Sequence, residues 1–141
     1  MIDLGPFRLE APLGRGGMGQ VWSGTHRRFG YPVAVKFLTA KSVQKPGFLE
    51  AFRNEVRMVA GLDHPNVVQV YDYGEADHRT ATATAGRIPV GTPWLAMELV
   101  TGGTLAPLGG RLEWTELEPI TRSLLLALGH AHARGVIHRD L

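Results

Sequence analysis

Apolar and polar positions alternate loosely from Phe7 to Leu13, break at Gly14-Arg15-Gly16-Gly17-Met18-Gly19, and resume through Gln20-Val21-Trp22-Ser23-Gly24. This pattern predicts two strands joined by a glycine-rich connection. A turn at Phe29-Gly30-Tyr31-Pro32 leads into Val33-Ala34-Val35-Lys36-Phe37-Leu38, a third strand rich in β-branched residues, so the chain opens as an antiparallel meander. From Pro46 the period changes. Phe48, Phe52, Glu55, Val56, Val59 and Leu62 recur at helical steps and define one face, which Gly61 and Asp63-His64-Pro65-Asn66 bring to an end. Val67-Val68-Gln69-Val70-Tyr71-Asp72-Tyr73 and Trp94-Leu95-Ala96-Met97-Glu98-Leu99-Val100 read as two further strands. Residues 77–91 lie between them and contain Thr80-Ala81-Thr82-Ala83-Thr84-Ala85. They read as a long, polar, low-complexity connection, exposed and mobile for want of a bulky anchor. Residues 104–110 leave room only for a stunted helix. A longer helix opens near Thr115, with Pro119 tolerable in its first turn. Ile120, Leu124, Leu125, Leu128 and His132 form its stripe, and Gly135 stands where it should stop. Val136-Ile137-His138-Arg139-Asp140-Leu141 then reads as a short strand and the entry to a loop.

Composition narrows the class without naming an activity. A length of 141 residues suits one domain, and 44% hydrophobic with 20% charged residues describes a globular chain rather than a disordered one. The net charge of +2, with no run of five basic residues, argues against nucleic acid as a partner. Without cysteine there is neither a disulfide framework nor a thiolate metal site, which suits a reducing compartment. Met1-Ile2-Asp3-Leu4 does not begin a basic and then apolar leader, and no apolar run approaches the roughly 18 to 20 residues that span a bilayer. The expectation is a cytoplasmic chain with no membrane segment.

Gly14-x-Gly16-x-x-Gly19 shares its spacing with dinucleotide-binding folds, but those must turn from a strand into a helix, and here strand-like Gln20-Val21-Trp22 follows. What remains is an ordinary glycine-rich hairpin, or one whose backbone approaches phosphates closely because no Cβ holds the amides away. Most strand lysines are simply solvated. Lys36, however, shares a strand face with Ala34, while Val33, Val35 and Phe37 take the other. A small residue beside a cation is suited to a flat base with phosphates attached. Glu55 falls between Phe52 and Val59 on the apolar helical stripe, so it is expected to point inward and to pair with Lys36. His130 and His132 stand two apart on a helix and diverge too far to share a metal, which leaves them core or capping roles.

The order of these features is itself informative. A glycine hairpin, Val33-Ala34-Val35-Lys36, the helical Glu55, Met97-Glu98-Leu99-Val100 and His138-Arg139-Asp140 follow one another as in the protein kinases. The chain resembles the bacterial eukaryotic-like (Hanks-type) Ser/Thr protein kinases through Leu13-Gly14-Arg15-Gly16-Gly17-Met18-Gly19, His64-Pro65-Asn66 and Ala133-Arg134-Gly135-Val136-Ile137-His138-Arg139-Asp140-Leu141. The resemblance spans nearly all of the chain and about the first half of the family domain. It implies an α+β fold: a five-stranded antiparallel sheet with one packed helix in residues 1–100, and the first helices of a mostly helical lobe in residues 101–141.

It also implies ATP, with residues 13–21 (Leu13, Gly14, Arg15, Gly16, Gly17, Met18, Gly19, Gln20 and Val21) covering the nucleotide and Ala34 beside the adenine. Lys36 would hold the α and β phosphates and pair with Glu55. Met97 would be the gatekeeper, and the backbones of Glu98 and Val100 would bond the adenine edge. Asp140 would accept the proton of a substrate Ser or Thr hydroxyl, His138 would brace the loop, and Arg139 would pair with an activation-loop phosphate. By the same resemblance the Mg2+ ligands and the activation segment lie beyond Leu141, so the implied partners are ATP and protein substrates, and the chain alone is expected to be inactive. The other reading is a natural short module that binds nucleotide or a partner kinase without catalysis.

Overall fold

The computed structural model describes residues 1–16, 19–38 and 46–138. Among them six strands form one antiparallel sheet: β1 (Ile2–Leu4), β2 (Phe7–Gly16), β3 (Gly19–His26), β4 (Pro32–Leu38), β5 (Val70–Glu75) and β6 (Pro93–Glu98), in the order β1-β2-β3-β4-β6-β5. Helix α1 (Phe48–Ala60) follows β4, α2 (His78–Ala83) lies between β5 and β6, and α3 (Trp114–His132) follows a single 3-10 turn at Ala106–Leu108. The α+β architecture and the stunted helix agree with the sequence. The strand count does not. Ile2–Leu4 adds a sixth strand that pairs Ile2 with Leu9 and Leu4 with Phe7 across the Gly5-Pro6 turn, where Gly5 adopts φ 53°. Ile2 and Leu4 alternate with Asp3 and precede Gly-Pro, a turn signal that marks the short hairpin.

One sheet face carries the core. Phe7, Leu9, Trp22, Val33, Val35, Phe37, Trp94 and Ala96 are buried there with Ile2, Leu4, Ala76 and Ile88. The Phe7 and Trp94 rings meet edge to face at 6.0 Å. Gly74 is required at its place on β5, because a Cβ there would lie 2.8 Å from the Trp94 indole. Burying each large side chain of this kind contributes roughly 1.5 to 3 kcal/mol, so the cluster dominates the stability of the sheet.

Residues 77–91 are not the exposed tether that their composition suggests. Asp77 caps α2, its Oδ1 accepting from the Thr80 amide and the Thr80 hydroxyl, each at 2.8 Å. Thr80 within α2, Thr84 at its C-cap and Ile88 in the turn beyond have no solvent exposure. Thr84 Oγ1 donates to the Thr80 carbonyl at 2.9 Å and accepts from the Ile88 amide at 3.2 Å, so its burial costs no unmade bond. Ile88 supplies the bulky anchor, docking into the core cluster, and α2 packs on β1. Alternating Thr and Ala disguised a capped helix whose inward positions happen to be small and polar.

Removing the cap by Asp77→Ala should lower stability at neutral pH, read as an earlier midpoint in chemical denaturation. The Thr80 bonds hold the Asp77 carboxyl below its ordinary value of 3.8, with the Arg79 charge adding to them. A depressed folded pKa stabilises above the unfolded value and is lost as pH falls through the folded one. The gap between parent and variant should therefore shrink below pH 3.8; an unchanged gap in acid would show that the carboxylate is not the capping group.

Helix α3 opens one residue before Thr115, with the Glu116 carboxylate accepting from the Glu113 amide at 3.1 Å. Pro119 consequently sits at the sixth helical position, in the second turn rather than the first, where it removes one main-chain donor. Gly135, at φ 75°, follows the helix end as expected. No helix among the described residues is long and apolar enough to cross a membrane.

Candidate nucleotide-binding face

The cross-strand register places the sequence-predicted residues. Lys36 on β4 stands opposite Val21 on β3 and Leu95 on β6, and Ala34 stands opposite Ser23 and Met97. Directly opposed side chains share a face, so Val21, Ala34, Lys36, Leu95 and Met97 form one surface, back to back with the Trp22, Val35, Phe37 and Ala96 core. Ala34 is buried and Lys36 half-buried on it. The backbone of β2 and β3 continues beyond this surface as the glycine hairpin, with two register shifts in β2, between Leu9 and Ala11 and between Pro12 and Gly14. Such bulges coil a ribbon, and Pro12, which has no amide to donate, falls at one of them. A Cβ on Gly14 would meet nothing within 4 Å, and Gly19 adopts φ 145°, a conformation open to glycine. At Gly14 the backbone is therefore bare, with open space beside it. Gly17 and Met18 at its tip lie outside the described residues, as do Arg139 and Asp140; of Arg15 and Gly16 only the backbone is described.

Not every predicted residue turns to this surface. Gln20 alternates with Val21 and so falls on the core side of β3, where it lines a second cavity of about 430 Å³ with Pro12, Leu13, Gly14 and Arg87. Through its side chain, Gln20 cannot face the same ligand as Lys36. Arg87 was missed by sequence reasoning altogether, since nothing in its neighbourhood signals that the connection reaches back to the glycine hairpin.

Lys36 and Glu55 do not form the expected ion pair. The ion pairs among the described residues are Arg8 with Asp3, Arg27 with Asp3, Arg53 with Glu75, and Arg122 with Glu118. Helix α1 docks through Val56, its buried residue, and is tied to β5 by Arg53 to Glu75 and by Arg57 Nε donating to Tyr73 Oη at 3.2 Å. Glu55 stands one residue, about 100° of helical rotation, from Val56 and is exposed rather than inward. It nevertheless lines a cleft of about 420 Å³ between α1, β6 and α3, together with Val59, Leu95, Met97, Leu128 and His138. Three predicted residues, Glu55, Met97 and His138, thus surround one space.

At the end of β6 the Glu98 amide donates to the Gln69 carbonyl at 2.9 Å, and Glu98 Oε2 accepts from the Gln69 amide at 3.3 Å. These bonds hold the exit of β6 against the segment before β5. Val100, two residues on, is 57% exposed and its main chain makes no hydrogen bond among the described residues. Main-chain groups there remain available to a flat ligand. Among the described residues no three His, Asp or Glu side chains converge, so these residues do not fit a Mg2+ site. His130 packs its ring on His64 at 5.2 Å, with Arg134 Nη1 3.2 Å from Nδ1; burial first, then the Arg134 charge, lowers its pKa.

Comparison with known proteins places this geometry. The protein kinase domain family matches residues 7–141. The chain is 39% identical over 140 residues to Serine/threonine-protein kinase PknA of Mycobacterium tuberculosis, covering 97% of this chain and 31% of that protein. It is 36% identical to the probable serine/threonine-protein kinase PknB of Bifidobacterium longum, over 97% of this chain and 20% of that one. The crystal structure of the M. tuberculosis PknI kinase domain superposes with a TM-score of 0.79 at 28% identity, covering 99% of this chain and 53% of that one. The chain therefore spans about a third or less of the curated relatives named here and about half of that solved kinase domain. A sheet with a glycine hairpin, a lysine on its fourth strand and a following helix, matched by sequence over residues 7–141, makes the chain a member of the protein kinase family, corresponding to the amino-terminal region of the bacterial Hanks-type Ser/Thr kinases.

Proposed function

We propose that the chain is the ATP-gripping part of a cytoplasmic kinase that transfers the γ-phosphate of ATP to Ser and Thr hydroxyls of proteins. The observation that carries this reading is the shared face of Ala34 and Lys36, opposite Met97 and Leu95 and continuous with a glycine hairpin that has open space beside Gly14. In this reading residues 1–100 form the nucleotide lobe and residues 101–141 begin the second lobe. Val21 and Leu13 cover the base, Ala34 lies beside it, and Lys36 neutralises phosphate charge. Glu98, whose amide is engaged by Gln69, offers its carbonyl to the adenine edge, and Val100 offers both main-chain groups. Asp140 accepts the hydroxyl proton, braced by His138. In place of a formed Lys36–Glu55 pair, Glu55 at the cleft marks a helix position from which the pair has yet to close. The metal that assists phosphoryl transfer by neutralising charge has no ligand set among the described residues.

Because transfer depends on positioning and charge neutralisation, the 141-residue chain alone should not phosphorylate protein at a measurable rate. A radiolabelled ATP assay on the purified chain, with Asp140→Asn as control for contaminating kinase, reads this directly. Transfer that disappears in the control would show that the residues present suffice.

A further inference from the structure

Outside the nucleotide face, the structure gathers arginines that are scattered in sequence. Arg8 on β2, Arg27 after β3 and Arg79 in α2 line one open cleft of about 670 Å³ at the end of the sheet. Two carboxylates share it, Asp3 and Asp77, so three guanidinium charges, with Met1 also on the wall, outnumber the acidic ones. Neither acid saturates its neighbours. Asp3 Oδ1 is 3.5 Å from Arg8 Nε and Asp3 Oδ2 is 3.7 Å from Arg27 Nη1, both longer than the roughly 2.7 to 2.9 Å of a charge-assisted bond. Both arginine side chains stay about half exposed, at 48% and 47%. Asp77 spends its Oδ1 on the Thr80 amide and hydroxyl. No ion pair among the described residues engages Arg79. Arginines from three separate elements therefore line one space, two of them held to Asp3 only at long distance and the third in no ion pair among the described residues.

We propose that this cleft recognises a phosphate monoester dianion, as carried by a phosphorylated Ser or Thr side chain or by inorganic phosphate itself. Arginine is the residue whose planar fork matches phosphate oxygens, and the cluster contains arginine and no lysine. A dianion offsets the surplus charge and satisfies donors that Asp3 reaches only at long distance. The small residues Gly5 and Ala83 on the cleft wall leave room for a chain bearing the phosphate. The inference does not depend on the nucleotide face, since none of Arg8, Arg27 or Arg79 belongs to it.

The test titrates the 141-residue chain with a fluorescent phosphothreonine peptide, its unphosphorylated and Glu-substituted forms, inorganic phosphate, and vesicles of phosphatidylglycerol. Phosphopeptide is expected to bind at least tenfold more tightly than either control peptide. Arg79→Gln, which breaks no ion pair, and Arg27→Gln should each weaken it at least tenfold, whereas Arg111→Gln, outside the cleft, should leave it unchanged. Phosphopeptide binding tighter than inorganic phosphate assigns the site to proteins; equal binding assigns it to the free ion, and both uphold the monoester. Equal affinity for the Glu-substituted peptide, insensitivity to Arg79→Gln and Arg27→Gln, binding to vesicles alone, or no binding of either phosphate probe would overturn the proposal.

Discussion

Substituting Lys36 by Met is expected to weaken ATP binding about 10- to 100-fold while leaving the fold intact. A hydrogen bond to a charged group contributes roughly 1.5 to 3 kcal/mol, and each 1.4 kcal/mol is a factor of ten in affinity. Lys36 is half-buried between Val21 and Leu95, and no ion pair among the described residues ties it down, so its loss breaks no structural bond. Methionine keeps most of the apolar stem that packs against those neighbours. Calorimetric titration with ATP, beside thermal unfolding without it, separates the two effects. Unchanged affinity would remove Lys36 from the nucleotide site.

Its neighbour should behave in the opposite way. Phe37 has no solvent exposure and faces Trp94 across the β4–β6 ladder on the core side. Phe37→Ala should cost about 3 to 5 kcal/mol through lost burial and the cavity left behind. For a chain of this size that lowers the melting temperature by roughly 10 °C or more. A comparable drop for Lys36→Met, or none for Phe37→Ala, would mean that the two faces of β4 have been exchanged.

That contrast also explains what could be read in the sequence. Strict alternation along Val33 to Leu38 separates Lys36 from Phe37 because a strand has only two sides, and the ladder confirms the separation. The glycine run and the helices α1 and α3 were legible from local signals, although Ala127, the buried residue of α3, stands outside the predicted stripe, in which Leu124, Leu125 and His132 are exposed. Three features depended on tertiary partners. Ile2–Leu4 is three residues long and becomes a strand only by pairing with β2. Residues 77–91 look like a tether until Thr80 and Thr84 find backbone acceptors and Ile88 finds the core. Glu55 was assigned inward from the stripe, yet Val56 takes the buried phase, and a shift of one residue on a helix decides whether a carboxylate meets Lys36. Arg87 beside the glycine hairpin, and the arginine cleft, arise from chain crossings that no local period encodes.

ATP is expected on one face of this sheet and not on its other surfaces. Amide chemical-shift mapping of the isotopically labelled chain during ATP titration tests it most directly. Saturable shifts are expected at Val21, Ala34, Lys36, Met97 and Val100, with Trp22, Val35 and Ala96 on the core side moving less and Lys36→Met suppressing the whole set. Saturable shifts confined to α3, to residues 77–91 or to the arginine cleft, or no shifts from a folded chain at millimolar ATP, would contradict it.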